Sequence, residues 1–385
     1  MRFRRRLTYG LALTLALAVA SYFIFHAYVR GAAFVIKAAG MQGAARTIAE
    51  WEAVDVSEER LEIPWRGGRL PARKYLPHGR RHRPFLLIPG VHASGVDEPR
   101  LVGFARELAS LGHPVLTAGP PDLARYSISP AATDAIEDAA RWLADQRDMA
   151  PDGRIGMMGI SFAGGLSIVA AGRPSLKDHV ASVLSLGGHG DLSRTLRFLC
   201  TGELADGGHL APHDYGVVII LLGVADRVVP ADQVDALRHA VLTFLEASRL
   251  DLVDKAESAA TFEQARAIEG TLPEPSRTLM SYVNNRDVEK LGPILLPHVP
   301  SISMDPSLAP ASSPPPSAPV YLLHGTDDNV IPAAESIALA ADLTRRGATA
   351  HVLATPLITH AEVDRISSVV DIVRLFTFWG GVLGS

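Results

Sequence analysis

Short apolar runs alternate along this chain with longer segments in which apolar residues recur at helical spacing. Phe85–Ile88 is a continuous apolar run, as expected of a strand buried on both faces of a sheet. After it, Leu101, Phe104 and Leu108 recur at the spacing of one helix face. Apolar residues on both sides of 66–69 predict a hairpin from 61 to 76. The same patterns predict further strands at 115–118, 154–158, 180–186, 320–323 and 350–353, and helices around 136–143, 166–171, 333–346 and 362–379.

This alternation predicts an α/β fold, with a mostly parallel sheet flanked by helices on both faces. Residues 192–300 break the pattern, because they hold charged helical stretches and few strand signals. We therefore predict a helical lid insertion there, covering the functional site. Residues 301–319 are rich in Pro and Ser and predict a loose connection. The predicted core then has two parts, residues 57–191 and 320–385.

Residues 1–30 have a different character from the rest of the chain. Four arginines near the start precede Leu7–Val29, a run of 23 residues without Asp, Glu, Lys or Arg. A helix needs roughly 20 apolar residues to cross a bilayer. Arginines of this kind stay in the cytoplasm, which predicts a single membrane anchor with the rest of the chain on the non-cytoplasmic side, in a bacterium the periplasm. Residues 31–56 would then form a juxtamembrane segment.

A cleaved signal peptide is the alternative at the N-terminus. Ala18-Val19-Ala20 would supply the small residues of a cleavage site. The apolar run does not end there, however, since Tyr22–Phe25 follow at once. We therefore favour an uncleaved anchor.

The composition is that of an ordinary globular protein. Of 385 residues, 48% are hydrophobic and 20% are charged. A net charge of −4 argues against nucleic acid as a partner. The one cysteine, Cys200, excludes an intramolecular disulfide, and no Cys/His cluster has the spacing of a zinc site. We predict no metal and expect Cys200 to be a small buried residue.

The candidate chemistry begins at Gly159-Ile160-Ser161-Phe162-Ala163-Gly164, between a predicted strand and a predicted helix. A sharp turn at this point lifts the serine oxygen clear of the backbone, with small residues where strand and helix approach closely. Ala163 stands where the pattern usually has a second glycine, and it is also small. Because a serine hydroxyl is a weak nucleophile alone, Ser161 needs a base.

A candidate acid and base follow in the second part of the core. His324-Gly325-Thr326-Asp327-Asp328 comes directly after a predicted strand, and His360 lies 32 residues beyond Asp328. The chain order Ser161, Asp328, His360 is that of the α/β-hydrolases. His360 would take the proton from Ser161, and Asp328 would hold the imidazole in the required tautomer.

Asp226 is an alternative acid, because 222–230 has a similar motif. It would reach the histidine if the preceding apolar run, 217–222, were a strand of the sheet. Its place inside the predicted insertion makes Asp328 the preferred acid.

Pro89-Gly90-Val91-His92 follows the third predicted strand and supplies a candidate oxyanion loop. We assign the oxyanion hole to the backbone N–H groups of Val91 and Phe162. His92 and His189 both follow predicted strands and are candidates for contact with the substrate. A structural role is the alternative for each histidine.

From about Leu61 to Trp379 the chain resembles α/β-hydrolases of the dienelactone-hydrolase/esterase kind, on the motifs at 159–165 and 324–328. The resemblance implies hydrolysis of a carboxylic ester through an acyl-enzyme, without a cofactor. The implied partner is a small-molecule ester, lipid-like esters included. Ala163, the Pro-Gly-x-His loop and the long insertion depart from the family pattern.

Two other functions stay open at the level of sequence. One is a serine peptidase of the prolyl-oligopeptidase type, although such enzymes usually carry a large propeller domain before the hydrolase. The other is a hydrolase-fold binding protein without catalysis. Such proteins commonly lack a triad residue, whereas all three candidates are present here.

Overall fold

The computed structural model of the protein describes residues 14, 26, 28–51, 53–79, 81–205, 207–251, 253–358 and 369–385. Most of the predicted anchor lies outside these residues, as does His360. Within the described ranges, no helix is both long enough and apolar enough to span a bilayer. The membrane anchor therefore remains a prediction from the sequence.

Eight strands form one sheet in the order β1-β2-β4-β3-β5-β6-β7-β8. The first two strands are the predicted hairpin and are antiparallel, and β2 also pairs antiparallel with β4. All other neighbours pair in parallel, which confirms the predicted mostly parallel sheet. The strands are β1 Val56–Trp65, β2 Gly68–Pro77, β3 Phe85–Ile88, β4 Val115–Ala118, β5 Ile155–Ile160, β6 Val180–Leu186, β7 Val320–Gly325 and β8 Ala350–Thr355.

Helices connect the strands and cover both faces of the sheet. Residues 28–38 are also helical. The complete helices are α1 Ala44–Ala49, α2 Pro99–Ser110, α3 Pro121–Ala124, α4 Pro130–Asp145, α5 Phe162–Ala171, α6 Leu192–Thr201, α7 Asp214–Val228, α8 Val234–Leu250, α9 Lys255–Thr271, α10 Ser276–Asn284, α11 Val288–Leu295, α12 Pro300–Ser303, α13 Ala333–Arg345 and α14 Val369–Gly384.

The alternation of side chains along β3 divides the core into two clusters. Leu86 and Ile88 belong to a cluster with apolar residues of α4, α5 and α13. Phe85 and Leu87 belong to a second cluster with residues of α2 and α14. Because successive side chains of a strand point to opposite faces, the continuous apolar run of β3 is explained by helices on both sides.

Residues 28–38 pack against the C-terminal helix α14. The rings of Phe34 and Trp379 lie 4.3 Å apart between centroids. Gly31 lies so close to α14 that a Cβ there would overlap the carbonyl of Phe376. The described part of the predicted juxtamembrane segment is therefore folded onto the core.

The region between β6 and β7 is helical, as predicted, through α6 to α12. The apolar run 217–222 lies inside α7, so the alternative in which it forms a strand is wrong. A continuous apolar run does not distinguish a buried helix from a buried strand by periodicity. The Pro/Ser-rich segment 301–319 is packed rather than loose, since Leu308 and Ala309 are buried and the Ser313 hydroxyl donates to the Pro306 carbonyl at 2.6 Å.

Candidate active site

Ser161 lies at the turn between β5 and α5, as the motif predicts. Its backbone has φ 55° and ψ −135°, a conformation that side chains other than glycine rarely adopt. Its N–H donates to the Leu186 carbonyl at 2.8 Å, and its carbonyl accepts from the Gly164 N–H at 2.8 Å. The surrounding structure thus holds a strained turn with a buried serine at its tip.

The small residues of this turn are required by close approach of strand and helix. A Cβ on Gly159 would overlap the carbonyl of Ala163, and one on Gly164 would overlap the Ser185 hydroxyl. Ala163 itself is fully buried without such a conflict. The departure of this chain from the usual second glycine therefore leaves the turn intact.

Asp328 lies in the turn after β7 and is buried. Its Oδ1 accepts from the N–H groups of Val330 and Ile331, both at 2.9 Å. Its Oδ2 lies 3.4 Å from Nε2 of His324, a fully buried ring. These contacts give the carboxylate one orientation.

A cavity of about 700 Å³ lies at the carboxyl ends of the strands, where ligands bind in open α/β sheets. Ser161 and Asp328 both line it, as do Val91 and His92. Its wall is rich in aromatic side chains: Phe104, Tyr126, Phe162, Tyr215, Phe244 and Phe262. The insertion therefore contributes part of the wall, through α7, α8 and α9.

The loop after β3 approaches the serine closely. A Cβ on Gly90 would lie 3.3 Å from Cβ of Ser161. In the part of the chain that the structure describes, the N–H groups of Val91 and Phe162 donate to no acceptor. Both residues line the cavity beside Ser161. Two unpaired backbone N–H groups beside a candidate nucleophile are the donors that an oxyanion hole requires.

Residues 83–354 match the protein family described as the alpha/beta hydrolase fold. The chain belongs to this family. No curated protein sequence matches this α/β-hydrolase significantly.

Solved structures with a similar fold include hydrolases of two kinds. An esterase from Pyrobaculum calidifontis has 19% identity and a TM-score of 0.45, over 81% of this chain and 77% of that chain. A carboxylesterase from a metagenomic library has 16% identity and a TM-score of 0.46, over 92% and 94%. An acylaminoacyl peptidase from Pyrococcus horikoshii has 13% identity and a TM-score of 0.45, over 83% of this chain and 40% of that chain. These identities and TM-scores are too low to indicate a function for this chain, and the family match is what shows the fold.

His92 lines the cavity of the α/β-hydrolase in a defined tautomer. Its Nδ1 accepts from the Ser94 N–H at 3.2 Å, so the ring proton is on Nε2. Burial lowers the pKa of His92, which keeps the ring neutral at neutral pH. The ring therefore carries an N–H donor at the cavity wall.

His189 does not line the cavity, so its proposed contact with the substrate is not supported by its position. It is fully buried, and its Nε2 donates to the Leu308 carbonyl at 2.7 Å. A Cβ on Gly165 would overlap its ring, which places it against α5, and its ring centroid lies 5.6 Å from that of Phe162, which separately lines the cavity. Burial lowers the pKa of this histidine too. Its position is that of a structural residue.

Asp226 is also remote from the cavity. It is exposed near the end of α7, where Arg238 lies 3.6 Å from its carboxylate. The motif around it resembles that of Asp328 in sequence, but a helix replaces the strand that would bring it to the site. Cys200 is buried as expected, and burial raises the pKa of its thiol to about 12.

Two tyrosines that the sequence did not single out lie against the candidate oxyanion loop. The Tyr215 hydroxyl donates to the Val91 carbonyl at 2.9 Å. Tyr126 has φ 60°, and its hydroxyl lies near the backbone of Ala93. Tyr215 and Val91 are 124 positions apart, and no motif connects them.

Proposed function

We propose that this α/β-hydrolase cleaves a carboxylic ester through an acyl-enzyme, with Ser161 as the nucleophile. The observation that carries the proposal is the strained turn that holds Ser161 at a cavity wall, beside the unpaired N–H groups of Val91 and Phe162. A backbone conformation this costly persists only where the surroundings impose it, and such strain is concentrated at functional sites.

In the proposed reaction, His360 accepts the Ser161 proton as the oxygen attacks the ester carbonyl, and returns it to the leaving alcohol. Asp328 holds the imidazole and stabilises its cationic form. The N–H groups of Val91 and Phe162 bind the oxyanion, each contributing about 3 kcal/mol to transition-state stabilisation. Water then attacks the acyl-enzyme by the same route and releases the acid.

His360 lies outside the described residues. Two observations on neighbouring residues support its role. Asp328 is a buried carboxylate at the cavity, and β8 runs beside β7 toward that edge. Thr355, five positions before His360 in the sequence, pairs with Gly325. The chain therefore leaves the sheet beside the turn that carries Asp328.

The cavity wall supports an uncharged substrate with an apolar acyl group, lipid-like esters included. The arginines near the cavity are each paired with a carboxylate: Arg100 with Glu98 at 2.7 Å, Arg249 with Glu246 at 2.5 Å and Arg286 with Asp214 at 2.8 Å. A carboxylate on the substrate would have to displace one of these pairs. The helical insertion acts in this proposal as the lid that supplies part of the apolar wall.

A fluorophosphonate probe tests the proposal directly, because it labels only an activated serine. The wild-type chain should be labelled and should hydrolyse p-nitrophenyl esters, with a preference for apolar acyl chains. The Ser161→Ala variant should fold, resist labelling and lack activity. Labelling without ester hydrolysis, but with cleavage of peptide amides, would favour the peptidase alternative. A wild-type chain that is neither labelled nor active would favour the binding protein.

We propose further that the uncharged run Leu7–Val29 anchors the hydrolase in a membrane, with its catalytic domain on the non-cytoplasmic side. The length of this run and the arginines before it support the proposal. The full chain should then remain with membranes after carbonate extraction. An N-terminus found at Ser21 in a soluble fraction would show cleavage instead.

A further inference from the structure

We infer that Tyr215 is a positioning residue for the oxyanion hole. It lies at the start of α7, and its hydroxyl connects the helical insertion to the loop that carries the Val91 N–H. The inference rests on the proposed ester hydrolysis. It concerns a residue that does not react and that acts through the backbone of Val91.

The hydroxyl of Tyr215 is a reliable donor to this backbone. It donates to the Val91 carbonyl at 2.9 Å. Burial raises the pKa of Tyr215 well above its usual value, so the hydroxyl stays protonated at neutral pH. Its ring also lies edge-on to that of Tyr126, with centroids 6.3 Å apart, which limits its movement.

The Val91 carbonyl has no other donor in the described ranges of the chain. Two further hydrogen bonds of the loop are local and lie beyond Val91: Gly95 N–H to the His92 carbonyl at 3.0 Å, and Ser94 N–H to His92 Nδ1 at 3.2 Å. Within Val91, the torsion angles φ and ψ are the only soft rotations between the N–H group and the carbonyl group. A fixed carbonyl therefore limits where the N–H can point.

The two residues before Tyr215 contact two other parts of the cavity wall. The His213 N–H donates to the carbonyl of Asn329, next to Asp328, at 2.8 Å. Asp214 pairs with Arg286, beyond α10, at 2.8 Å. Residues 213–215 thus join three parts of the site: the oxyanion loop, the turn of the acid and the insertion. A movement of the insertion that shifts Tyr215 would therefore also shift the oxyanion loop, through the hydrogen bond to the Val91 carbonyl.

The Tyr215→Phe variant tests this role, since it removes one hydroxyl and keeps the ring. We expect kcat on p-nitrophenyl esters to fall about ten-fold, less than the ~10²-fold that a displacement of 1 Å can cause. KM should stay within about two-fold, because the lost interaction acts on the transition state. The affinity for a boronic acid that forms a tetrahedral adduct should fall by the same factor as kcat/KM.

Tyr282→Phe is the matched control, because Tyr282 lies in the same insertion and does not line the cavity. It should retain wild-type kcat and boronic acid affinity. Active sites are counted with the fluorophosphonate, so that any unfolded fraction of Tyr215→Phe does not affect kcat.

Three results would overturn the inference. They are an unchanged kcat in Tyr215→Phe, an increase confined to KM, and a boronic acid affinity equal to that of the wild type. If instead the wild-type chain hydrolyses no ester and resists the probe, it is the proposed function that fails.

Discussion

Gly90 lies directly against Ser161: a Cβ added to the glycine would stand 3.3 Å from Cβ of the serine. That distance is tighter than ordinary van der Waals contact, and the carbonyl of Ile160 lies at 3.4 Å on the same side. The absence of a side chain at position 90 is therefore what allows the loop after β3, the proposed oxyanion loop, to approach Ser161. The sequence analysis used Gly90 as part of a candidate oxyanion loop, and this contact gives a physical reason for a glycine at that position.

Gly90→Ala should lower kcat strongly and the thermal midpoint of unfolding only slightly. The added methyl group pushes the loop and the Ser161 side chain apart, so the Val91 N–H withdraws from the oxyanion. We expect kcat to fall on the order of 100-fold, as on loss of one oxyanion donor. Kinetics on a p-nitrophenyl ester and the thermal midpoint of unfolding would check this.

Gly103→Ala is the control for that variant. Gly103 lies inside α2, and a Cβ there would meet no atom within 4 Å. The substitution should stabilise the protein by up to ~1 kcal/mol, because alanine favours a helix interior, and leave kcat unchanged. Full activity in Gly90→Ala would contradict the placement of the oxyanion hole.

Asp328→Asn should abolish most of the activity. The amide keeps the shape of the side chain but no longer holds the catalytic histidine in the required tautomer, so kcat should fall on the order of 10⁴-fold. Asp226→Asn is the matched control, because Asp226 is exposed, does not line the cavity and lies 3.6 Å from Arg238. An inactive Asp226→Asn with an active Asp328→Asn would reverse the assignment of the acid.

Two substitutions of His92 separate its two nitrogen atoms. Asn places its side-chain oxygen near the position of Nδ1, where it can accept the Ser94 N–H. Gln places its amide N–H near the position of Nε2. If the Nε2 proton contacts the substrate, His92→Gln should retain activity that His92→Asn loses, by about ten-fold for one hydrogen bond. Steady-state kinetics of both variants on one ester would show the difference. Equal kinetics in both would mean that the ring only supports the loop.

The buried His113 should make stability depend on pH. Its Nδ1 donates to the Arg83 carbonyl at 2.8 Å, and burial lowers its pKa to about 3, with smaller contributions from His82, Arg30 and Arg83. The ring is neutral in the fold but takes up a proton in the unfolded chain below a pH of about 6.5. The contribution of the buried, neutral His113 ring to the free energy of unfolding is thus fully present above that pH. This histidine alone should lower the free energy of unfolding by about 1.4 kcal/mol for each pH unit as the pH drops from about 6.5 toward 3.

His113→Asn keeps a donor for the Arg83 carbonyl but does not titrate. The variant should be less stable at pH 7, and its urea midpoint should change less between pH 7 and pH 4.5 than that of the wild type. Its kcat per active site should match the wild type, because His113 does not line the cavity. The same pH dependence in both proteins would show that His113 is not the titrating group.

Local pattern was sufficient for most of the fold. The hairpin, the parallel strands and the helices on both faces follow from apolar runs and helical spacing, which depend on neighbours close in the chain. The turn at Ser161 was predictable for the same reason, since strand, small residues and helix are consecutive. The position of Asp328 at the end of β7 is likewise a local feature.

Contacts between distant segments were decided by the tertiary structure. The apolar pattern of the run 217–222 fits a buried strand and a buried helix equally well. Packing within the insertion makes the run part of α7, and Asp226 is therefore exposed to solvent. His189 and His92 each follow a strand in the sequence. In the structure His189 is packed against α5, whereas His92 lines the cavity. The hydrogen bond from Tyr215 to Val91 spans 124 positions and leaves no periodicity in the sequence. The sequence by itself determined which segments form strands, helices and sharp turns, because those depend on local torsion and burial preferences. Which side chains meet across the cavity depended on how the insertion packs over the sheet.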